Sequence, residues 1–308
     1  MTDASPSYRG RFAPSPTGPL HFGSLVAAAG SFLDARTRGG QWLLRIEDVD
    51  APRTVPGAAA DIIATLARLG FEWDAEVVWQ SRRAPAYMAA FERLRATGAV
   101  FACACSRREL ADSALARDGS RIYPGTCRNG LPPGRRAHAW RVRAEGRIGF
   151  EDRIQGLQVE DLATEVGDFV VLRGDGHFAY QLAVVVDDAE AGITDIVRGA
   201  DLIGSTGRQI HLQRLLGYPT PAYAHLPVVV NAAGEKLSKQ TLAAPVSEFE
   251  SVAALVAALT FLGQNPPQAL GRASLREVWA WALAHWSLAR VPRRLKAPAP
   301  AGAFAPGP

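Results

Sequence analysis

Residues 11–24, Arg-Phe-Ala-Pro-Ser-Pro-Thr-Gly-Pro-Leu-His-Phe-Gly-Ser, and residues 236–240, Lys-Leu-Ser-Lys-Gln, are the segments of this chain whose residue types and spacing could do chemistry. The first is a Pro/Gly loop that runs into a helical pattern. Such a junction turns free backbone N–H groups and the positive end of a helix dipole toward phosphate oxygens. His21 and Gly23 sit where that helix begins. Glycine admits a nucleotide close to the backbone, and an imidazole N–H can follow the charge that builds on a phosphate during displacement. The second segment holds Lys236 and Lys239, two of the three lysines in the chain. A compact ammonium on a flexible stem suits a moving phosphate charge better than a rigid guanidinium fork. Together the two segments predict one ATP site.

A second constellation is Cys103-x-Cys105 followed by Cys127, with Tyr123 four residues before the last cysteine. Three cysteines cannot close a disulfide framework, and a close Cys-x-Cys pair in a chain without a leader pattern points to metal or redox chemistry. Structural zinc takes four ligands. His138 is a candidate for the fourth position. No activating base or open coordination position is evident, so the expected metal is structural.

Strands alternating with helices must position these groups. Tyr8 to Ala13 predicts a strand entering the Pro/Gly loop, and Phe22, Val26, Ala29 and Leu33 recur at helical spacing after it. Trp42 to Ile46 predicts a second strand, Ile62, Leu66 and Leu69 a helix, Val77 to Trp79 a third strand, and Tyr87, Phe91 and Leu94 another helix. This rhythm implies a parallel sheet. Phe101 to Arg153, rich in Cys, Gly, Pro and Arg, breaks the rhythm and reads as an insertion. Beyond it, Phe169 to Leu172 and Leu182 to Val186 predict strands, Arg208 to Leu216 a helix, and Pro227 to Val230 an extended segment. Phe249, Val252, Val256 and Leu259, then Leu275, Val278, Ala282 and Trp286, predict closing helices. The division expected is therefore residues 1–100 and 169–240 as two halves of one α/β domain, 101–168 as the insertion, 241–295 as a helical C-terminal region and 296–308 as an unstructured Ala/Pro-rich tail.

With 308 residues and 48% hydrophobic content, the chain can bury a substantial core. It has no apolar run of the ~20 residues a membrane span needs and no signal-peptide pattern at Met1, so the expected location is the cytoplasm. The formal charge of +4 permits a polyanionic partner without requiring one. Between Cys103 and Arg153 there are eleven arginines against six acidic residues, which makes the insertion the candidate RNA face.

His-Phe-Gly with a downstream Lys-Leu-Ser-Lys resembles the two signature motifs of class I aminoacyl-tRNA synthetases. Arg-Phe-Ala-Pro-Ser-Pro-Thr-Gly, Arg45-Ile-Glu47-Asp48, Trp79-Gln-Ser81, Tyr180-Gln-Leu-Ala-Val-Val-Val-Asp187-Asp188 and Ile196-Val-Arg198-Gly-Ala-Asp201 are similar to the glutamyl-tRNA synthetase group. Full members of that group continue into a large anticodon-binding domain, whereas about seventy residues follow the Lys-Leu-Ser-Lys segment here. The likeness is thus to the short paralogues, the glutamyl-Q tRNA(Asp) synthetases.

That resemblance implies a Rossmann-type class I catalytic core split by a zinc-containing insertion and followed by a short helical region. It implies activation of glutamate with ATP and Mg²⁺ without tRNA, then transfer to queuosine in the anticodon of tRNA(Asp), with no stable protein partner. Arg11, Ala13, Ser15, Glu47, Tyr180 and Arg198 match the glutamate pocket. His21, Gly23 and Lys239 match the ATP site, with His21, Lys236 and Lys239 as catalytic groups. Cys103, Cys105, Tyr123 and Cys127 match the ligands of one zinc. Two other readings are a truncated synthetase that charges a tRNA 3′ end and a catalytically silent RNA-binding paralogue.

Overall fold

Arg9–Phe12 (β1) lies parallel to Gln41–Ile46 (β2), with Arg9 opposite Gln41, and β2 lies parallel to Val78–Trp79 (β3). The computed structural model describes residues 7–116, 119–231, 234–235 and 245–300. Phe22–Arg36 (α1) packs back on the sheet through a nearly all-buried surface that includes Leu25, Ala28, Ala29 and Phe32. Its small residues permit close approach: a Cβ on Gly30 would stand 2.7 Å from Leu226 Cδ1. Ala58–Arg68 (α2) buries Ile62 and Leu66, and Ala84–Ala96 (α3) buries Tyr87, Phe91 and Leu94, the periodic residues read from the sequence.

After α3 the chain leaves this layer. Val100–Cys103 (β4), Ala139–Val142 (β5) and, from further on, Phe169–Leu172 (β8) form an antiparallel sheet in the order β4-β5-β8. Arg147–Asp152 (β6) and Gly156–Asp161 (β7) form a hairpin between them. The chain then returns through Tyr180–Glu190 (α4), Asp195–Gly199 (β9), Ile203–Leu216 (α5), Ala222–Leu226 (β10) and Val228–Val230 (β11). β10 lies parallel to both β9 and β6. β9 meets β1 where Thr194 N donates to Arg9 O at 3.0 Å and Arg9 N donates to Thr194 Oγ1 at 2.8 Å.

One sequence expectation is overturned here. Leu182 to Val186, read as a strand, lies inside the helix α4. Every residue from Leu182 to Asp188 in that helix is buried. A helix covered all round shows no apolar stripe, so three consecutive valines looked like a strand. Conversely β9 and β10, which carry Arg198 and His225, were not recognised as strands.

Ser251–Phe261 (α6) and Leu275–His285 (α7) complete the core against α1 and β2. Ser274 and Glu277 form a capping box at the start of α7. Trp279 joins an aromatic cluster with Phe32 and Phe71, at centroid separations of 5.0 Å to each, and its indole N–H donates to Leu69 O at 2.9 Å. Gly70, at φ +77, keeps that approach open, since a Cβ there would stand 2.9 Å from the indole nitrogen. Lys296–Pro298 (β12) pairs in parallel with β11, so the first residues of the expected unstructured tail are in fact a strand. Among the described residues no helix is long and apolar enough to cross a membrane.

Two histidines are enclosed. His211 on α5 sets Nε2 2.7 Å from Arg143 O, and His225 on β10 sets Nδ1 2.6 Å from Asp152 Oδ2. Burial pushes both imidazoles down, that of His225 to about 4 despite the adjacent carboxylate. The unfolded chain, with histidines near the ordinary ~6.5, therefore binds more protons than the folded one below that pH. Stability should be lost as pH falls from roughly 6.5 toward 4, above the range in which ordinary carboxylates titrate; unfolding midpoints across that range check it, and a flat profile contradicts it. Trp279→Ala should cost about 3–5 kcal/mol in denaturant unfolding through the cavity it leaves, and a loss below ~1 kcal/mol would show that α7 packs on the core only loosely.

Candidate active site

The loops at the carboxyl ends of β1, β2 and β9 and the N-terminus of α1 enclose a cavity of about 910 Å³. This is where an open parallel sheet places its ligand. Arg11, Ala13, Ser15, His21, Gly23, Glu47, Tyr180 and Arg198, every sequence-predicted glutamate or ATP residue within the described chain, line it. Lys236 and Lys239 lie outside the described residues. Their flanks reach the same place: Val228 and Val229 of β11 line the cavity, while Pro245 pairs with His21 and Val246 N donates to Leu20 O at 2.8 Å.

One end of the cavity is built on a buried ion network. Arg11 donates through Nε and Nη2 to the two oxygens of Asp188, at 3.1 and 3.2 Å. Arg45 donates through Nη1 to Asp188 at 2.7 Å and through Nη2 to Glu47 Oε1 at 3.1 Å. Behind it Asp187 accepts from Gln80 Nε2 at 2.7 Å, Arg83 Nε at 2.6 Å and the Tyr87 hydroxyl. Arg45 and Glu47 are thus a buried couple and not the exposed surface pair that neighbours on a strand often form. Burial alone would push Asp188 up, yet Arg11 and Arg45 hold its carboxyl below the ordinary range. Glu47 stays raised by burial in spite of the same two guanidiniums. In the sequence Asp187 and Asp188 stand only as part of a motif; the pairing of Asp188 with Arg11 and Arg45 spans more than a hundred residues and has no local signal.

Tyr180, which also lines the cavity, is half-buried at the first position of α4, with its phenol pushed up to about 12 by burial and by Glu47. Arg198 on β9 is buried and donates through Nε to His225 Nε2 at 3.1 Å and through Nη2 to Thr206 Oγ1 at 2.9 Å. Its Nη1 is buried without a partner. Arg11 and Arg198 therefore both line this cavity.

At the other end His21 caps α1. Its Nδ1 accepts the Ser24 backbone N–H at 3.3 Å, so the neutral ring carries its proton on Nε2, and Ser24 Oγ lies 3.3 Å from that atom. The cap holds the imidazole at the positive end of the helix dipole, where an Nε2–H donor and the first-turn amides can converge on one anionic group.

The cysteines form a separate cluster beside β4. The Sγ atoms of Cys103, Cys105 and Cys127 lie within 4.8 Å of one another, with Cys105 and Cys127 3.7 Å apart. The Tyr123 hydroxyl stands 3.5 Å from both Cys103 Sγ and Cys105 Sγ. Tetrahedral zinc with sulfurs at about 2.3 Å and an oxygen at about 2.0 Å requires S···S edges of roughly 3.8 Å and S···O edges of roughly 3.5 Å. The donor set fits. His138, the rival ligand, is exposed and meets Cys103 through its backbone, donating N–H to the carbonyl at 2.8 Å; no imidazole belongs to the cluster among the described residues.

The family model described as tRNA synthetases class I (E and Q), catalytic domain, matches residues 7–254. The chain is 80% identical over 304 residues to the glutamyl-Q tRNA(Asp) synthetase of Aromatoleum aromaticum, covering 99% of this chain and 96% of that one. It is 62% identical over 290 residues to the protein of the same name from Dechloromonas aromatica, covering 93% and 96%. Its fold is similar to the crystal structure of the glutamate-tRNA synthetase of Elizabethkingia anophelis, with a TM-score of 0.80 and 25% identity, covering 96% of this chain and 69% of that one. A cavity walled by Arg11, Glu47 and Arg198 beside a helix N-terminus, on a fold of this type and with such relatives, places the chain in the class I tRNA synthetase family, among the glutamyl-Q tRNA(Asp) synthetases.

Proposed function

We propose that this protein activates glutamate with ATP in the absence of tRNA and then transfers it to queuosine in the anticodon of tRNA(Asp). In the first step a glutamate carboxylate oxygen attacks the α-phosphorus and pyrophosphate leaves. In the second a hydroxyl oxygen of queuosine attacks the activated carbonyl carbon, loses its proton and displaces AMP. The observation that supports this most is that one cavity is lined both by Arg11 and Arg198, as carboxylate partners, with Glu47 as an acceptor for the α-ammonium, and by the His21–Gly23 helix start.

Arg11 and Arg198 each bind a carboxylate, Ala13, Ser15 and Tyr180 complete the recess, and Glu47 holds the α-ammonium. His21 donates to the α-phosphate as charge builds there, Gly23 lets the nucleotide reach the backbone, and Lys239 and Lys236 hold and neutralise the polyphosphate with Mg²⁺. Catalysis on this plan is positioning and electrostatic stabilisation. Residues 1–100 and 169–240 act as the catalytic halves, and the arginine-rich insertion, residues 101–168, faces RNA. Cys103, Cys105, Cys127 and Tyr123 would hold a zinc ion whose contribution is to fix the insertion's fold.

ATP–pyrophosphate exchange by the purified protein should be robust with glutamate, absent with glutamine and independent of tRNA. Silence at high glutamate would overturn the reading in favour of an RNA-binding paralogue, and product on the terminal ribose would favour 3′ charging. Zinc should be present at one ion per chain by elemental analysis. Cys127→Ser should lose it and lower the unfolding midpoint, while metal-free protein of unchanged stability would remove zinc from the account.

A further inference from the structure

Asp152 on β6, His225 on β10 and Arg198 on β9 form a buried line that ends at the cavity wall. Asp152 Oδ2 lies 2.6 Å from His225 Nδ1, and Arg198 Nε lies 3.1 Å from His225 Nε2. An arginine Nε always carries its hydrogen, so Nε2 of His225 must accept and the imidazole proton must sit on Nδ1. Asp152 enforces that arrangement. Its Oδ1 is committed to the backbone N–H groups of Ile154, Gln155 and His225, at 3.0, 2.8 and 3.2 Å, which aims Oδ2, an acceptor only, at Nδ1.

The remaining contacts of Arg198 are also uncharged. Nη2 donates to Thr206 Oγ1 at 2.9 Å and to Leu202 O at 3.4 Å, and among the described residues no carboxylate pairs with this guanidinium. Its Nη1 is buried, unpartnered and part of a side chain that lines the cavity. A charged group left in this state keeps its full attraction for an anion, provided that something else holds it in place. A protonated His225 would turn a second donor on Nε and repel the guanidinium; a neutral His225 with the opposite tautomer would also present N–H against N–H.

We propose that His225, locked as the Nδ1–H tautomer by Asp152, is a positioning residue that holds Arg198 by a neutral acceptor and so leaves the guanidinium charge available to a carboxylate of the substrate. This rests on the reading that Arg198 meets glutamate. Neither His225 nor Asp152 lines the cavity, so both act only through Arg198.

Asp152→Asn tests it. The variant keeps the shape and the Oδ1 acceptor for the three backbone amides, but its NH₂ would face Nδ1 and drive the imidazole proton to Nε2, against Arg198. The KM for glutamate in ATP–pyrophosphate exchange should rise roughly tenfold to a hundredfold, the range expected for losing a hydrogen bond to a charged group, while the KM for ATP stays near that of the unaltered protein. A general loss of structure would move both. A folded Asp152→Asn protein with an unchanged glutamate KM overturns the proposal. If the unaltered protein shows no glutamate-dependent exchange, it is the functional reading that fails. The lock is also read directly, without activity: in unaltered protein labelled with ¹⁵N at its six histidines, His225 should show a protonated Nδ1 and an unprotonated Nε2 at neutral pH. A signal from an Nε2–H tautomer or an imidazolium would overturn the proposal even if the variant did not fold.

Discussion

The double use of Asp188 is the constraint on which the rest of this structure depends. It receives Arg11 from β1 and Arg45 from β2 while it belongs to α4, an element that follows the whole insertion. Two buried guanidiniums would be prohibitively costly without a carboxylate, and removing one partner from such a buried couple costs roughly 3–5 kcal/mol. The network therefore fixes α4 against β1 and β2. Because Tyr180 begins α4, the same contact sets the far side of the recess. Buried ion pairs are weak sources of net stability, so the reason for this one is geometric: it puts charged groups at a ligand site and makes every alternative packing leave a charge unpaired.

Arg11 and Arg198 illustrate two ways to hold a cation beside a substrate. Arg11 is gripped by a carboxylate through two parallel hydrogen bonds, which orients it firmly and neutralises much of its field. Arg198 is gripped by an imidazole, a hydroxyl and a carbonyl, which orient it and neutralise nothing. A recess built with only the first device would be firm but weakly attractive to an acid. On the proposed reading, the pairing of the two would give a ligand with two carboxylates one rigid contact and one strong one.

How much of this was legible in the sequence follows from how local each signal was. The Pro/Gly loop, the His21 cap and α1 form one continuous stretch, and the strand and helix spacing around them was read correctly. The cysteines declared themselves by spacing, and the fold brings them together through one short excursion beyond β4. Glu47, Tyr180 and Arg198 were placed by resemblance alone, since nothing in their neighbours says that they share a cavity. α4 was misread because complete burial erased its periodicity. The line from Asp152 to His225 had no signal at all: seventy-three positions separate the two, and β10, which joins them, carries Tyr and His where a strand pattern would be sought in Val and Ile.

The uneven use of basic residues follows the same physics. Of 34 lysines and arginines only three are lysines. Every structural cation described in the cavity wall is an arginine, because a planar fork with fixed donors can be pinned by Asp188 or by His225 and Thr206 and then keep its position. A lysine at either place would retain a charge and lose the orientation, since its single nitrogen cannot bind a partner behind it and a ligand in front along fixed directions. Lysine is useful where the charge must travel with its target. On the proposed reading that is the requirement at a triphosphate that loses pyrophosphate, the part given to Lys236 and Lys239; of their flanks, Val229 lines the cavity and Pro245 pairs with His21. On that reading, fixed cations for the amino acid and movable ones for the nucleotide are separate solutions in one site, each matched to whether its ligand stays in place during the reaction.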